Sequence, residues 1–143
     1  MVNRNNKKVG AKRKRILIIE DMPDNLLVLQ ATLEHEGYEV VTASNSAAAL
    51  DLLKETGQEV DLILSDVMMP GLSGYDLCRR LRRDALFASL PIVLITAKRI
   101  DEKDALLGMN AGADDYLIRP LDPKLLVKKV RLLLDRKRRS GRT

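Results

Sequence analysis

The sequence is poor in the residue types that cross-link small proteins or anchor proteins in membranes. Its single cysteine, Cys78, excludes an internal disulfide bond and fits a reducing compartment, so a cytoplasmic location is expected. No run of about 18 apolar residues occurs, and the apolar run after the basic N-terminus is too short for a signal peptide. A membrane is therefore not expected as a partner.

Aromatic residues are also scarce, at 3% of the chain, so leucine, isoleucine, valine and alanine must fill any core. Hydrophobic residues make up 45% of the 143 positions and charged residues 31%, a mixture typical of one globular domain. A chain of this length can bury a core without metals or disulfides.

The net charge of +5 is distributed unevenly. Residues 1–15 carry seven basic side chains and no acid, residues 136–143 carry five, and the part between them has a net charge of −7. The two ends lack interleaved aromatic residues and a helix-turn-helix pattern, so nucleic acid is not expected as a partner. We predict a basic disordered tail at 1–14, one folded domain at 15–136 and a basic tail at 137–143.

Short apolar runs alternate with segments of helical periodicity through the predicted domain. The strand-like runs are, in order, RILIIE, YEVVTA, DLILSD, PIVLITA and DYLI. The helical segments that follow them are PDNLLVLQATLEHEG, SNSAAALDLLKETG, SGYDLCRRLRRD, DEKDALLGMNAG and DPKLLVKKVRLLLDRKRR. Five strands alternating with five helices predict an α/β fold with parallel strands and helical crossovers.

The composition of the strands indicates where the helices lie. The runs ILII, LIL and IVLI are apolar without alternation, as in parallel strands that are covered on both faces. Five strands are too few for an eight-stranded barrel. We therefore predict a single doubly wound (βα)5 domain of flavodoxin-like type, in which a five-stranded parallel sheet of order 2-1-3-4-5 has helices on both faces.

Acidic residues follow two strands that this order makes neighbours. Glu20 and Asp21 come after strand 1, and Asp66 ends strand 3. Ligands of open parallel sheets bind beyond the carboxyl ends of the strands, so three carboxylates are expected in one crevice. They would repel one another, and at least one would take a proton, unless a divalent cation such as Mg²⁺ or Mn²⁺ lay between them.

With a cation bound, this edge of the sheet could carry out phosphoryl chemistry. An aspartate carboxylate can attack a phosphoryl group and form an acyl phosphate, while the cation and a basic side chain stabilise the charge on the phosphoryl oxygens. Arg119 after strand 5 supplies the basic group, and the hydroxyl of Thr96 after strand 4 can donate a hydrogen bond.

Four ordered motifs, IIEDMPDN, LSDVMMPGLSG, LITAK and YLIRPL, make residues 15–136 similar to the receiver domain of two-component response regulators, with the fold of chemotaxis regulators. The resemblance implies that Asp66 is the phosphoacceptor. It also implies that Asp21 binds Mg²⁺ directly, that Glu20 binds it through water, and that Met68 offers its backbone carbonyl.

The resemblance implies a switch and its partners as well. Thr96 would be the switch hydroxyl, and Tyr116 the aromatic that changes rotamer with it. The phosphoryl donor would be a histidine kinase or a histidine phosphotransfer domain, and a downstream protein or output domain would bind the face of helix 4, strand 5 and helix 5, with a homodimer as a further option. Such a protein is a signalling phosphoacceptor rather than an enzyme, with at most slow self-phosphorylation and autodephosphorylation.

Members of this family tune the lifetime of the phosphoryl group at the position two after the acceptor, which is Met68 here. A thioether cannot hydrogen-bond an attacking water, so slow self-hydrolysis is expected.

Arg119 departs from the family pattern, because the family has lysine before this proline. The planar guanidinium is larger and prefers bidentate geometry, so the exchange is not automatically neutral. The main alternative is therefore a receiver-like binding or scaffold module that works without phosphorylation. A Mg²⁺-dependent phosphohydrolase ranks lower, since no cap follows to close over a substrate.

Simpler structural roles compete at single positions. Taken alone, Asp21 or Asp24 could cap a helix, and Asp66 could be a turn residue before Pro70. Cys78 is expected in the core and Asp61 at the surface. The third helix carries four arginines that are expected on a solvated face: Arg79, Arg80, Arg82 and Arg83.

Overall fold

The computed structural model describes residues 13–55, 60–96, 106–107 and 110–140, of which 137–140 are described by their backbone alone. The strands are β1 (Arg15–Ile19), β2 (Glu39–Ala43), β3 (Leu62–Asp66), β4 (Ile92–Thr96) and β5 (Asp115–Ile118). The helices are α1 (Pro23–His35), α2 (Ser46–Glu55), α3 (Gly74–Arg83) and α4 (Pro123–Ser140), the last being the fifth helix of the sequence prediction. The predicted helix DEKDALLGMNAG lies largely outside the described residues.

The five strands form one parallel sheet of order β2-β1-β3-β4-β5, which confirms the predicted topology. Ile18 of β1 lies beside Leu64 of β3, and Asp66 at the end of β3 lies beside Ile95 of β4. Because the register is nearly level, the carboxyl ends of β1, β3 and β4 meet along one edge of the sheet.

Two apolar clusters lie on opposite faces of the sheet, as the continuous apolar strands predicted. Alternate strand residues such as Leu17 and Ile63 pack with the buried side chains of α2 and α3. The residues between them, such as Ile16 and Leu64, pack with α1 and α4. Each fully buried leucine or isoleucine contributes about 1.5–3 kcal/mol, so β1, β3 and β4 form a rigid base for the edge residues.

The helices begin at residues that provide hydrogen bonds to the free N–H groups of the first turn. The Oδ1 atom of Asn45 accepts from the N–H of Ala48 at 2.8 Å before α2. The Ser73 hydroxyl accepts from the N–H of Asp76 at 3.2 Å at the start of α3.

Helix α1 begins differently from the others. Its N-cap is Met22, without a side-chain hydrogen bond, and Pro23 takes the first helical position. The alternative interpretation of Asp21 or Asp24 as the cap is therefore wrong. The helix ends at His35, and the predicted stop, Gly37, follows the C-cap Glu36 with a φ of 95° that glycine adopts readily; its N–H donates to the carbonyl of Glu34.

Arg82 contradicts the prediction that all four arginines of α3 face solvent. Its side chain is 21% exposed, and its guanidinium forms an ion pair with Asp114 at 2.9 Å. The same group donates to four backbone carbonyls, those of Phe87, Ala88, Leu90 and Gly112. Arg82 thus joins α3 to the loop before β4 and to the chain entering β5, whereas Arg80 and Arg83 are exposed as predicted.

The positions of Cys78 and Asp61 can be compared with the predictions of a core residue and a surface residue. Cys78 is fully buried in α3, and burial raises the pKa of its thiol to about 12, so the prediction of a core residue is confirmed. Asp61 is only partly exposed, and its carboxylate accepts from the N–H of Arg15 at 2.7 Å, which joins the start of β3 to that of β1.

No helix in the described part of the chain has both the length and the apolar character that a bilayer span requires.

Candidate functional site

Three carboxylates meet at the carboxyl edge of the sheet, as predicted. Glu20, Asp21 and Asp66 each offer an oxygen, and these oxygens lie within 4.8 Å of one another. Glu20 is almost fully buried at 1% exposure, Asp66 is partly buried and Asp21 is exposed. The cluster therefore has one inner, one middle and one outer carboxylate, and it opens to solvent at Asp21.

The backbone after β1 holds Glu20 inward. Its N–H donates to the carbonyl of Ala43 at 3.1 Å, which continues the pairing with β2 beyond the strand. Its Oε2 atom accepts from the N–H of Met22 at 3.1 Å, and its Oε1 atom accepts from the guanidinium of Arg119. Burial raises the pKa of Glu20, while the Met22 N–H and the Arg119 charge oppose that rise.

Asp66 is held at the end of β3 by the turn that follows. The N–H of Met68 donates to its Oδ1 atom at 3.3 Å, and the N–H of Val67 donates to the Ile95 carbonyl at 2.9 Å. Burial raises the pKa of Asp66, and the neighbouring Asp21 adds to the rise, whereas the Met68 N–H and Arg119 lower it.

Gly74 lets α3 start directly behind this turn. Its N–H donates to the carbonyl of Val67 at 2.9 Å, and a Cβ atom at this position would lie 2.6 Å from the backbone oxygen of Asp66. A side chain here would have to displace backbone atoms, so glycine is required by close approach.

Replacing Gly74 with alanine is expected to lower the free energy of unfolding by about 2 kcal/mol, because the added methyl group overlaps the turn that holds Asp66. Urea denaturation measures the loss. The control is Gly71→Ala, where nothing lies within 4 Å of the added Cβ and the φ of 79° alone costs about 1 kcal/mol. A neutral Gly74→Ala substitution would contradict the close approach.

Arg119 reaches the cluster from the loop after β5. Its N–H donates to the carbonyl of Thr96 at 2.8 Å, and its peptide bond to Pro120 is cis. The side chain is 19% exposed and forms an ion pair with the inner carboxylate, Glu20. The predicted basic group is therefore at the site, but in this structure its partner is a carboxylate of the cluster.

The two predicted switch residues lie on neighbouring strands, β4 and β5. Thr96 is 9% exposed at the end of β4, one residue beyond the partner of Asp66 in the strand register. Tyr116 lies in β5 beside Leu94 and packs, partly buried, against the core cluster that includes α3. Whether these two side chains move together stays a prediction.

The two methionines after Asp66 have different environments. Met69 is 9% exposed and belongs to the core. Met68 is 71% exposed beside the cluster.

The donor atoms of the cluster suit Mg²⁺ or Mn²⁺, which prefer oxygen ligands. Oxygens bound to one Mg²⁺ lie at most about 4.2 Å apart, so the carboxylates need only small rotations to share an ion. The residues present therefore fit such a cation.

Some features of the site have no strong signal in the sequence. The hydroxyl of Ser46 donates to the carbonyl of Leu72 at 3.0 Å and fixes the turn after β3 against α2. The pairing of Arg119 with Glu20 joins residues 99 positions apart. Neither contact follows from local spacing. By contrast, the glycine at the end of LSG, Gly74, could have indicated the close approach between the start of α3 and the turn after β3.

The arrangement matches a known family. Residues 16–131 match the sequence profile of the response regulator receiver domain. The chain belongs to this family. The level edge of the sheet and its three carboxylates are accordingly those of a receiver domain.

Curated relatives of this receiver domain are response regulators or regulatory proteins by name. It is 41% identical over 124 residues to the DNA-binding response regulator MtrA of Mycolicibacterium smegmatis, an alignment that covers 87% of this chain and 52% of the relative. It is 40% identical over 123 residues to the alkaline phosphatase synthesis transcriptional regulatory protein PhoP of Bacillus subtilis, and this alignment covers 86% of this chain and 49% of the relative.

Solved receiver structures show the same fold. The receiver domain protein of Methanospirillum hungatei superimposes with a TM-score of 0.82 at 28% identity, covering 91% of this chain and all of the other. The receiver domain of a histidine kinase from Syntrophus aciditrophicus superimposes with a TM-score of 0.78 at 34% identity, covering 85% of this chain and 90% of the other.

The receiver domain spans about half the length of the curated relatives it matches. The name of MtrA includes DNA binding, and the relatives extend beyond the aligned region. The prediction that nucleic acid is no partner therefore finds no support in these relatives.

Proposed function

We propose that this receiver domain accepts a phosphoryl group on Asp66 from a histidine kinase or a histidine phosphotransfer domain, and that the phosphoryl group switches a partner-binding face. The observation that carries the proposal is the convergence of three carboxylate oxygens within 4.8 Å beside a guanidinium. A cytoplasmic location and the domain boundaries at 15 and 136 are part of the same proposal.

Asp66 is the proposed nucleophile. Its burial is intermediate between that of Glu20 and that of Asp21, so it is partly open to an incoming group while its Oδ1 atom is oriented by the Met68 N–H. One carboxylate oxygen forms the new bond to phosphorus as the bond between phosphorus and the donor imidazole nitrogen breaks, and that nitrogen keeps the bonding electron pair.

The other members of the cluster hold the cation in this proposal. Asp21, Asp66 and the backbone carbonyl of Met68 would hold Mg²⁺ directly, and Glu20 would hold it through water. When bound, Mg²⁺ supplies positive charge to the phosphoryl oxygens. Arg119 and the Thr96 hydroxyl donate hydrogen bonds to the same oxygens.

Phosphorylation would be transmitted through Thr96 and Tyr116 to the face of β5 and α4. Apolar side chains are exposed there, Ile118 at 44%, Leu125 at 42% and Leu132 at 58%. Exposed apolar residues grouped on one face are typical of a protein interaction surface. The phosphoryl group would shift the equilibrium between two states according to its difference in affinity for them.

One observation favours a second candidate, a binding module that works without phosphate. The Arg119 guanidinium is paired with Glu20, and the N–H donors that it uses there are not available to a phosphoryl group.

Intact-mass measurement after incubation with Mg²⁺ and phosphoramidate separates the candidates. A gain of one phosphoryl group per chain supports the proposed function, whereas no gain under conditions that phosphorylate another receiver domain favours the binding module. Continued release of phosphate far beyond one equivalent would indicate the phosphohydrolase.

The exposed thioether of Met68 is expected to give the phosphorylated protein a long lifetime. Met68→Asn places a hydrogen-bonding amide beside Asp66, where it can orient an attacking water, so the decay rate is expected to rise about tenfold or more. The measurement is the decay of the phosphorylated mass, with Met68→Leu as the apolar control. Equal lifetimes for Met68→Asn and the wild type would exclude this role.

A further inference from the structure

Both oxygens of the inner carboxylate accept hydrogen bonds from the protein itself. Oε1 of Glu20 accepts from Arg119, and Oε2 accepts from the N–H of Met22 at 3.1 Å. Glu20 is 1% exposed, so water cannot easily replace either donor. The negative charge that burial makes unfavourable is therefore balanced within the protein, by a cation that belongs to the chain.

The positive charge of Arg119 acts on the whole cluster. The guanidinium opposes the rise in the pKa of Asp66 as well as that of Glu20. A divalent cation that enters the cluster would bring two further positive charges close to this guanidinium. Even at an effective dielectric constant of about 20, like charges a few ångströms apart repel one another appreciably.

We propose that Arg119 is the resident counter-cation of the acidic cluster, and that it sets the metal affinity of the receiver domain below that of the carboxylates alone. This inference rests on the proposed metal site at Glu20, Asp21 and Asp66. A cation bound next to the guanidinium weakens the pairing of Arg119 with Glu20 by charge repulsion, and a weaker pairing leaves the guanidinium more available to phosphoryl oxygens.

The choice of arginine is important for this role. A guanidinium is planar and rigid, is always charged and is weakly hydrated, so it can remain at a buried carboxylate with little cost of desolvation. A lysine ammonium is a more strongly hydrated point charge on a flexible stem. The arginine in RPL therefore suits lasting occupation of a buried carboxylate better than a lysine would.

Isothermal titration calorimetry with Mn²⁺ and with Mg²⁺ tests the inference on the intact chain. Arg119→Gln removes the charge and keeps a polar side chain, and its dissociation constant for metal is expected to fall at least about tenfold. Arg119→Lys keeps the charge and is expected to stay closer to the wild type. Arg83→Gln, an exposed site on α3, is the control for the loss of one positive charge and is expected to match the wild type within about twofold.

Thermal unfolding followed by circular dichroism gives a second readout. Without its counter-cation, Arg119→Gln leaves a buried carboxylate unpaired, so its melting temperature in chelator is expected to be below that of the wild type. Because a ligand stabilises the folded state according to its concentration over its dissociation constant, added Mg²⁺ should raise the melting temperature of Arg119→Gln more than that of the wild type. The rise in melting temperature on adding Mg²⁺ can be compared between the two proteins even if Arg119→Gln is only marginally stable in chelator.

Equal or weaker metal binding by Arg119→Gln would overturn the inference, because Arg119 would then be ordering the ligands rather than opposing the metal. Metal binding by Arg119→Lys that matches Arg119→Gln would overturn it too. Phosphorylation of the wild type is scored separately by intact mass. If Arg119→Gln binds metal more tightly but the wild type is not phosphorylated, the inference is supported and the proposed function is rejected. If metal binding is unchanged but the wild type is phosphorylated, the proposed function is supported and the inference is rejected.

Discussion

Replacing Arg82 with alanine is expected to lower the free energy of unfolding by about 3 kcal/mol. Hydrogen bonds from a charged donor contribute about 1.5–3 kcal/mol each, and they are not additive. The guanidinium bonds to the Leu90 carbonyl at 2.6 Å, to the Gly112 carbonyl at 2.9 Å and to the Asp114 carboxylate at 2.9 Å. The side chain is only 21% exposed, so water replaces these donors incompletely.

The loss should extend beyond α3, because Asp114 connects several elements. The same carboxylate accepts from the Ile92 N–H at 2.8 Å at the start of β4 and is paired with Arg136 of α4 at 3.2 Å. Without Arg82, the loop before β4 and the chain entering β5 lose a common donor.

Urea denaturation of Arg82→Ala and Arg83→Ala measures this difference. Arg83 lies next to it on the exposed face of α3, so its removal should change stability by no more than about 0.5 kcal/mol. Equal effects of the two substitutions would contradict the role assigned to Arg82.

Replacing Asp66 with asparagine is expected to abolish acceptance of a phosphoryl group, with no phosphorylated mass detectable under conditions that saturate the wild type. The amide has nearly the same shape as the carboxylate but is not a nucleophile toward phosphorus. Asp76→Asn is the control, since Asp76 is an exposed carboxylate on α3 whose loss should leave phosphorylation intact. Undiminished phosphorylation of Asp66→Asn would place the acceptor elsewhere.

Stability separates this chemical loss from a loss of fold. Because burial raises the pKa of Asp66, the unfolded chain ionises this group at lower pH than the folded protein does. Stability therefore falls as pH rises from the unfolded-state pKa towards the folded-state pKa, and it stays lower above that range. An uncharged asparagine avoids this cost, so without metal at neutral pH Asp66→Asn should be at least as stable as the wild type. A large drop in its melting temperature would mean that the lost phosphorylation reflects misfolding.

The sheet and the acidic cluster could be predicted because both depend on short-range patterns. The continuous apolar runs before Glu20 and Asp66 indicated parallel strands with both faces buried, and in such sheets residues after neighbouring strands meet at one edge. Strand order then placed the three carboxylates together, without knowledge of any side-chain contact.

The partners of the arginines could not be predicted in this way. Arg82 looks like its three neighbours in the sequence, and only the return of the chain 30 residues later brings Gly112 to its guanidinium. The structure places Arg119 beside the carboxylates, but its pairing with Glu20 depends on rotamers and burial that no spacing encodes. Long flexible side chains choose among acceptors after the backbone has folded, so their contacts depend on tertiary structure.

Reductive trapping locates the phosphoryl group most directly. The protein is incubated with Mg²⁺ and phosphoramidate, treated with borohydride to reduce the acyl phosphate to an alcohol, digested and sequenced by mass spectrometry. Homoserine at position 66, and unreduced carboxylates at Glu20 and Asp21, are the predicted result. Modification at either of those residues, or at none of the three in protein that has gained a phosphoryl group, would contradict the assignment of Asp66 as the acceptor.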